Sequence, residues 1–165
     1  MLDALPDSPA YVQTLTWDLL AWNRSAAVVV GYDAGADFER NLLRRIFLSR
    51  DVQSAQTDWL SVARFVVSAF RADATRAAAT EAATEVRSLI AELCERSAEF
   101  SALWQEHDVQ PFGEGTKTLK LPQVGELQLE YSAFMVDGRP DLCMVIYNPV
   151  TSVDSAIVRG MVAGR

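Results

Sequence analysis

Hydrophobic residues in the first two thirds of the chain recur mainly at helical spacing. Residues 10–23 are the exception, because their β-branched and aromatic content predicts two short strands joined near Trp17-Asp18. Asn23 is a good N-cap for an apolar helix over 24–30, which is expected to end at Gly31. Apolar residues three and four positions apart predict four further helices. These start at Asp37, at Thr57 or Asp58, near Ala82 and at Ser97.

Beyond Pro111 the spacing changes from helical to alternating. A strand is predicted over 116–121, and Gly125 lies in the turn before the next strand, 126–134. That strand alternates apolar and polar residues, which indicates one buried and one solvated face, with the apolar side formed by Leu127, Leu129, Tyr131 and Ala133. The turn residues 137–140 separate it from an apolar strand over 142–147, and a last helix starts at Ser152 or Asp154.

This order of elements predicts an α+β fold. A strand pair, a long helical insertion and a three-stranded meander form one five-stranded antiparallel sheet with helices packed on one face, as in PAS-like sensors. Residues 1–9 contain two prolines and are predicted to be a connector or N-terminal arm, so that 10–165 form a single domain. A curved sheet under helices can enclose a cavity for a small molecule.

Charge and hydropathy exclude two classes of partner. The chain has 22 acidic and 15 basic side chains, a formal charge of −7, and no segment gathers the basic residues as phosphate contacts require. This chain is therefore not expected to bind DNA itself. It has no apolar stretch of about 18 residues and no charged N-terminal region before an apolar one, so we expect a cytoplasmic protein without membrane contact.

The sequence does not support catalysis or metal binding. His107 is the only histidine, which excludes a triad or metal cluster that needs a second imidazole. It lies at a predicted helix C-terminus, where it is a helix cap, a polar group of a pocket or, as a further alternative, a general base. Cys94 and Cys143 are far apart and are expected to be buried thiols. No catalytic residue, metal site or cofactor is predicted.

Aromatic residues are numerous for one small domain. Each of them alone is explained as a residue of the hydrophobic core. As a set, however, they suit the wall of an apolar ligand pocket. Arg64 and Arg71 lie seven residues apart on one helix side, and either can grip a carboxylate if the ligand has one. The candidate ligand-binding residues are Trp22, Phe47, Trp59, Arg64, Phe65, Phe70, Arg71, Phe100, Trp104, His107, Tyr131 and Tyr147.

Several segments resemble one family in the order in which they occur. They include Leu20-Ala21-Trp22-Asn23-Arg24, Glu39-Arg40-Asn41-Leu42-Leu43 with Phe47-Leu48, Asp58-Trp59, Glu92-Leu93, Arg96-Ser97, Glu99-Phe100, Leu103-Trp104 with His107-Asp108-Val109, Gly115-Thr116-Lys117 and Val124-Gly125-Glu126-Leu127 with Tyr131. From about Pro9 to Tyr147 the chain is similar to the MmyB-like ligand-binding domain, which lies C-terminal to an XRE-type helix-turn-helix in bacterial regulators.

The resemblance implies a PAS-like effector domain that binds a fatty-acid-like molecule and affects DNA only through a helix-turn-helix domain absent from this chain. Ligand binding would then act by population shift, changing the surface shown to the DNA-binding domain or to a second subunit. Two alternatives remain open from the residues. One is a ligand-free PAS-like dimerisation module, which would form a homodimer. The other is a small α+β enzyme of the cyclase or isomerase kind.

Overall fold

The computed structural model describes residues 1–32, 38–54, 56, 58–106, 114–121 and 124–164, with only the backbone of Glu114. Contacts divide the chain into two compact units. The sheet unit comprises Met1–Gln13, Leu19–Phe38 and Gly113–Arg165, and the helical unit comprises Thr14–Asp18 and Glu39–Phe112. Because each unit forms its own set of contacts, the two are described in turn.

Five strands form one antiparallel sheet, which confirms the predicted α+β class and agrees with a PAS-like fold. Their order across the sheet is β2-β1-β5-β4-β3. The strands are β1 (Ala10–Thr14), β2 (Leu19–Trp22), β3 (Glu114–Leu121), β4 (Gly125–Val136) and β5 (Arg139–Pro149).

The predicted alternation in β4 is confirmed. Leu127, Leu129 and Tyr131 are buried, while the residues between them are exposed. Both hairpin strands are longer than predicted, because β4 and β5 remain paired almost to the turn at Asp137 and Gly138, where Gly138 has φ 72°. Gly125, expected in a turn, begins β4 with φ 84°, a conformation that favours glycine.

In its described residues the sheet unit has a short 3-10 helix, Leu2–Ala4, and two α-helices, α1 (Arg24–Val30) and α7 (Ser152–Ala163), which contact each other. The predicted cap at Asn23 and the end of α1 at Gly31, with φ 77°, are confirmed. The predicted start of α7 at Ser152 is confirmed, and its N-cap is Thr151. Thr151 and Asp154 form a reciprocal capping box, in which each side chain accepts from the other's backbone N–H.

The helical unit contains α2 (Leu42–Leu48), α3 (Arg50–Ser54), α4 (Trp59–Ala77), α5 (Ala83–Arg96) and α6 (Ala98–Gln105). Asp58 and Ser97 cap α4 and α6 as predicted. The Ala-rich stretch 72–84 is divided between two helices: α4 continues to Ala77 and a turn precedes α5. The short polar helix α3 was not predicted.

The helix expected to open at Asp37 begins later. Asp37 lies outside the described residues, Phe38 is not helical, and α2 starts at Leu42 with Asn41 as its N-cap. The Asn41 side chain accepts from Arg44 N at 3.1 Å and donates to Thr16 O at 2.7 Å. A cap that is also tied to a distant carbonyl fixes the start of the helix more strongly than hydrophobic spacing alone.

Buried thiols are confirmed only in part. Cys143 is buried, whereas Cys94 is half-buried, and neither forms a disulfide. Cys94 lies on α5, whose buried face is formed by Val86, Leu89 and Leu93.

Asn23 fixes the N-terminal arm to the sheet unit. Its side-chain oxygen accepts from Ala10 N at 3.0 Å and Ala26 N at 2.9 Å. Its amide nitrogen donates to three arm carbonyls, those of Leu2 (3.3 Å), Leu5 (2.9 Å) and Ser8 (2.8 Å). The side chain is 3% exposed, so these groups have little access to water in place of their partners. Asn23 therefore joins the arm, β1 and α1.

The turn between β1 and β2 is fixed in the helical unit by Trp17. This residue has φ 62°, a left-handed conformation that is unfavourable for a bulky side chain. Its indole Nε1 donates to Asp73 Oδ2 at 2.7 Å, and its carbonyl accepts from Leu42 N at 2.9 Å. Asp73 is fully buried on α4 and also pairs with Arg76. Burial raises the pKa of Asp73 above its ordinary value of 3.8, although the bonds from Trp17 and Arg76 oppose this.

We predict that Asn23→Ala lowers the free energy of unfolding by about 2 kcal/mol or more. The substitution removes a helix cap and leaves several buried backbone groups without partners. Urea unfolding measures the change. Asn148→Ala is the control, because it removes one exposed hydrogen bond from Ser8 and should cost less than about 0.5 kcal/mol. Equal stability of the two variants would contradict the role of Asn23.

We predict that Asp73→Asn gains stability relative to the wild type as pH rises from 4 to 7.5. A carboxyl group whose folded pKa is raised favours folding at low pH, and that contribution is lost as pH rises through the folded pKa. Asparagine keeps an acceptor for Trp17 but cannot ionise. Asp73→Ala, which removes the acceptor, should be destabilised by about 1–3 kcal/mol throughout. Urea unfolding at several pH values tests this, and a constant difference between wild type and Asp73→Asn would refute it.

Candidate functional site

Four buried tyrosines form one cluster in the sheet unit. Tyr11 in β1 contacts Tyr32 edge-on, with ring centroids 5.5 Å apart, and Tyr147 of β5 at 6.2 Å. Tyr131 of β4 lies opposite Tyr147 in the sheet register, and their rings are 5.5 Å apart. All four side chains are 7% exposed or less. This set, the tyrosine cluster, combines buried ring surface with phenolic hydroxyls.

The hydroxyls of the tyrosine cluster influence one another. The pKa of Tyr11 is raised well above its ordinary value of 10.0, chiefly by burial and further by Tyr147, Tyr32 and Tyr131. Tyr11 therefore remains neutral at physiological pH and can act as a hydrogen-bond donor or acceptor. The ammonium group of Lys117 on β3 lies 5.6 Å from the centre of the Tyr147 ring. A positive charge thus lies at the border of the cluster.

Trp22 extends this aromatic surface. Its ring packs against Tyr32 at 6.2 Å and Phe38 at 5.9 Å. In the register of β1 and β2, Trp22 is the partner of Tyr11. Three predicted site residues, Trp22, Tyr131 and Tyr147, are therefore brought together in the sheet unit. Tyr11 and Tyr32 complete the group and were not predicted, because their contacts depend on strand register rather than on local sequence.

A second aromatic cluster lies in the helical unit. Phe47 contacts Phe100 at 5.1 Å and Trp59 at 5.7 Å, both edge-on. Phe100 stacks on Trp104 at 5.7 Å, and Phe70 lies 5.8 Å from Trp104. Trp17, not predicted as a site residue, contacts Phe70 at 6.0 Å. Five more predicted residues are thus neighbours, but their rings are packed against one another.

The two candidate arginines both reach towards the C-terminal end of α6. The Arg71 guanidinium lies 4.4 Å from the centre of the Trp104 ring and donates to the carbonyls of Leu103 (3.3 Å) and Trp104 (2.8 Å). Arg64 forms a 2.8 Å ion pair with Glu106. The carbonyls at a helix end attract a cation, which explains the position of Arg71. Whether either arginine meets a ligand stays a prediction.

Two candidates remain, Phe65 and His107. Phe65 is 38% exposed. It follows Arg64, whose side chain is 53% exposed. His107 lies outside the described residues.

A polar cleft of about 340 Å³ is present within the helical unit. Arg44 crosses it and makes bidentate contact with Glu92 at 2.8–3.1 Å. The bond from Arg44 lowers the pKa of Glu92 below its ordinary value. Asp18 accepts hydrogen bonds from Thr16 at 2.5 Å and Asn41 at 3.0 Å. Glu85 also lines the cleft, which is therefore polar and predominantly acidic and differs in chemistry from an apolar ligand site.

Within the described part of the chain, no group of three or more acidic, histidine or cysteine side chains is arranged to hold a metal ion. The same residues include no helix with the length and apolar character needed to cross a membrane.

Comparison with known proteins identifies the family. A search of curated proteins found no match. Residues 1–159 match the family described as the MmyB-like transcription regulator ligand binding domain. This match covers nearly the whole chain, including both aromatic clusters and the arm held by Asn23. The chain therefore belongs to the MmyB-like transcription regulator ligand-binding domain family.

Proposed function

We propose that this domain senses an apolar, fatty-acid-like molecule for a cytoplasmic bacterial regulator of the XRE type. DNA contact would be made by a helix-turn-helix domain, since this chain carries a net charge of −7. The family match over residues 1–159 carries the proposal, because it assigns the chain to a regulator's ligand-binding domain.

The tyrosine cluster supports an apolar ligand with a polar end. Aromatic walls with a few well-placed polar groups are typical of small-molecule sites. On the sheet face, Tyr131 and Tyr147 provide apolar ring surface together with hydroxyl groups, and Lys117 provides a positive charge beside Tyr147. A fatty acid combines the matching parts, an alkyl chain and a carboxylate.

The N-terminal arm provides a route from ligand to regulation. Tyr11 and Trp22 of the aromatic surface are adjacent in sequence to Ala10 and Asn23. The Asn23 side chain accepts from Ala10 N and donates to the carbonyls of the arm. A small displacement of either ring would therefore reach, through Asn23, the hydrogen bonds that fix residues 2–8. Burial of an alkyl chain contributes about 0.8 kcal/mol per methylene, and a few methylenes match the 1–3 kcal/mol typical of allosteric coupling.

A ligand-free dimerisation module is the alternative. The rings of the aromatic cluster in the helical unit already pack against one another, with centroids 5.1–6.0 Å apart. In addition, Phe134 is 48% exposed and lies opposite the half-buried Met144 in the sheet. An exposed apolar patch of this kind suits a homodimer contact. The two functions predict different outcomes in a ligand titration.

We expect saturated fatty acids to bind with an affinity that depends on chain length. Octanoate, decanoate and dodecanoate, each below its micelle concentration, should raise the melting temperature of the domain in a saturable way. Each added pair of methylenes should lower Kd by about tenfold until the chain fills the site. Thermal unfolding and isothermal calorimetry provide the two measurements.

Butyrate is the control in this titration, because it carries the carboxylate without a long chain and should produce no shift. Binding that is absent, or that is independent of chain length, would contradict the ligand proposal and favour the dimerisation module. In that case Phe134→Glu should convert a dimer to a monomer in sedimentation equilibrium.

We further expect decanoate to change hydrogen exchange in the arm. Backbone amides within residues 2–8 should alter their exchange rates about fivefold or more at saturation, in line with ordinary coupling energies. Mass spectrometry of peptides from the intact domain measures this. Amides of α5 serve as the internal control. An unchanged arm with decanoate bound would refute this route of transmission.

A further inference from the structure

Gln13 is an unusual residue of the sheet unit. It lies on β1, is only 1% exposed, and its side-chain oxygen Oε1 is buried without a hydrogen-bond partner in the described residues. Other buried polar side chains, such as Asn23, Asn41 and Asp154, each accept hydrogen bonds from the backbone. Gln13 therefore departs from the rule that the rest of the molecule follows.

Among the described residues, Arg71 Nε is the other buried side-chain atom without a hydrogen-bond partner. The guanidinium of Arg71, however, has other partners in two carbonyl oxygens and the Trp104 ring. Its position is explained by the end of α6. The unpaired acceptor of Gln13 has no such explanation.

An unpaired buried amide oxygen reduces stability. The loss corresponds to a factor of about five to 150 in the folding equilibrium constant. Leucine or methionine at the same position would fill similar space without this loss. The polar group is therefore expected to serve something other than folding.

The position of Gln13 places it with the aromatic surface. The β1–β2 register is irregular between Val12 and Gln13, but the extra residue, Leu20, lies on β2. Alternation along β1 is therefore kept: Tyr11 and Gln13 are buried on the same side, and Val12 between them is half-buried. Tyr11 in turn contacts Tyr147 and Tyr32 of the tyrosine cluster. One polar group beside aromatic rings is the arrangement that fixes the orientation of an apolar ligand.

We propose that Gln13 is a specificity-determining residue of the ligand site and accepts a hydrogen bond from a hydroxyl group on the ligand. This inference rests on the proposed function and makes its ligand class more precise. A hydroxyl both donates and accepts, so it matches the oxygen and the amide of glutamine. The ligand class is thus an alkyl compound with a hydroxyl at or near its polar end. A carboxylate only accepts hydrogen bonds and leaves Oε1 unpaired, so a fatty-acid-like ligand that matches Gln13 carries a hydroxyl in addition.

The test compares 1-decanol with decyl methyl ether on the intact chain. The two probes share the alkyl chain, but only the alcohol has a hydrogen to donate. Wild type should bind 1-decanol about tenfold more tightly than the ether, as expected for one net hydrogen bond. In Gln13→Leu the preference should fall below twofold, and the melting temperature without ligand should rise. Calorimetry and thermal unfolding report these values.

Gln128→Leu is the matched control, because it is the same substitution at an exposed glutamine of β4. It should keep the tenfold preference. Gln13→Met, whose side chain has nearly the shape of glutamine, gives the same test if the leucine variant does not fold. A wild-type preference below twofold, or one that persists in both Gln13 variants, would overturn the role of Gln13.

The outcomes separate this inference from the proposed function. If fatty acids bind and 1-decanol does not, the hydroxyl inference fails and the apolar-ligand function stands. If fatty acids and both probes fail to bind, the ligand function itself fails and takes this inference with it.

Discussion

Pairing of buried polar groups is the constraint on which this structure depends. In the sheet unit, Asn23 joins the arm to β1 and α1, and Asp154 joins α7 to β4 by accepting from Gln128 N at 2.9 Å. In the helical unit, Asn41 and Asp73 hold the segment 14–18 against α2 and α4. Each of these side chains lies where two elements meet, because there the backbone leaves groups that no helix or strand can satisfy.

The sequence predicts elements better than it predicts their junctions. The strands, the α1 cap and the stops at Gly31 and Gly138 follow from local chemistry, since turn and cap residues act over a few positions. The start of α2 does not, because Asn41 is fixed by Thr16, 25 residues away. The left-handed Trp17 is equally invisible in the sequence. It becomes understandable only when Asp73, 56 residues away, accepts from its indole.

The same reasoning applies to the candidate site. The sequence predicts the aromatic residues as one set, but it gives no reason to divide them between a sheet unit and a helical unit. Tyr11 and Tyr32 were missed since register and the path after α1 decide their contacts. Gln13 was missed for another reason. An unpaired atom is recognised only when its surroundings are known, and a glutamine in a short strand draws no attention by itself.

The two aromatic sets differ in what they offer. In the helical unit the rings form edge-on and stacked pairs that account for their own burial, as in an ordinary core. In the sheet unit the tyrosines add hydroxyls, and a lysine and an unpaired amide oxygen lie nearby. The helical unit also has a polar group, the Arg71 guanidinium beside Trp104, but this group is bound to carbonyls at the end of α6. The Gln13 oxygen has no partner in the described residues, which is why ligand specificity is proposed for the sheet unit.

The distribution of the four tryptophans has a practical consequence. Trp17, Trp59 and Trp104 lie in the helical unit, and Trp22 lies in the sheet unit. Replacing Trp22 by phenylalanine would leave indole fluorescence from the helical unit alone. Replacing the other three tryptophans would leave the fluorescence of Trp22 in the sheet unit. The natural chromophores thus allow each half of the molecule to be followed optically without an added dye.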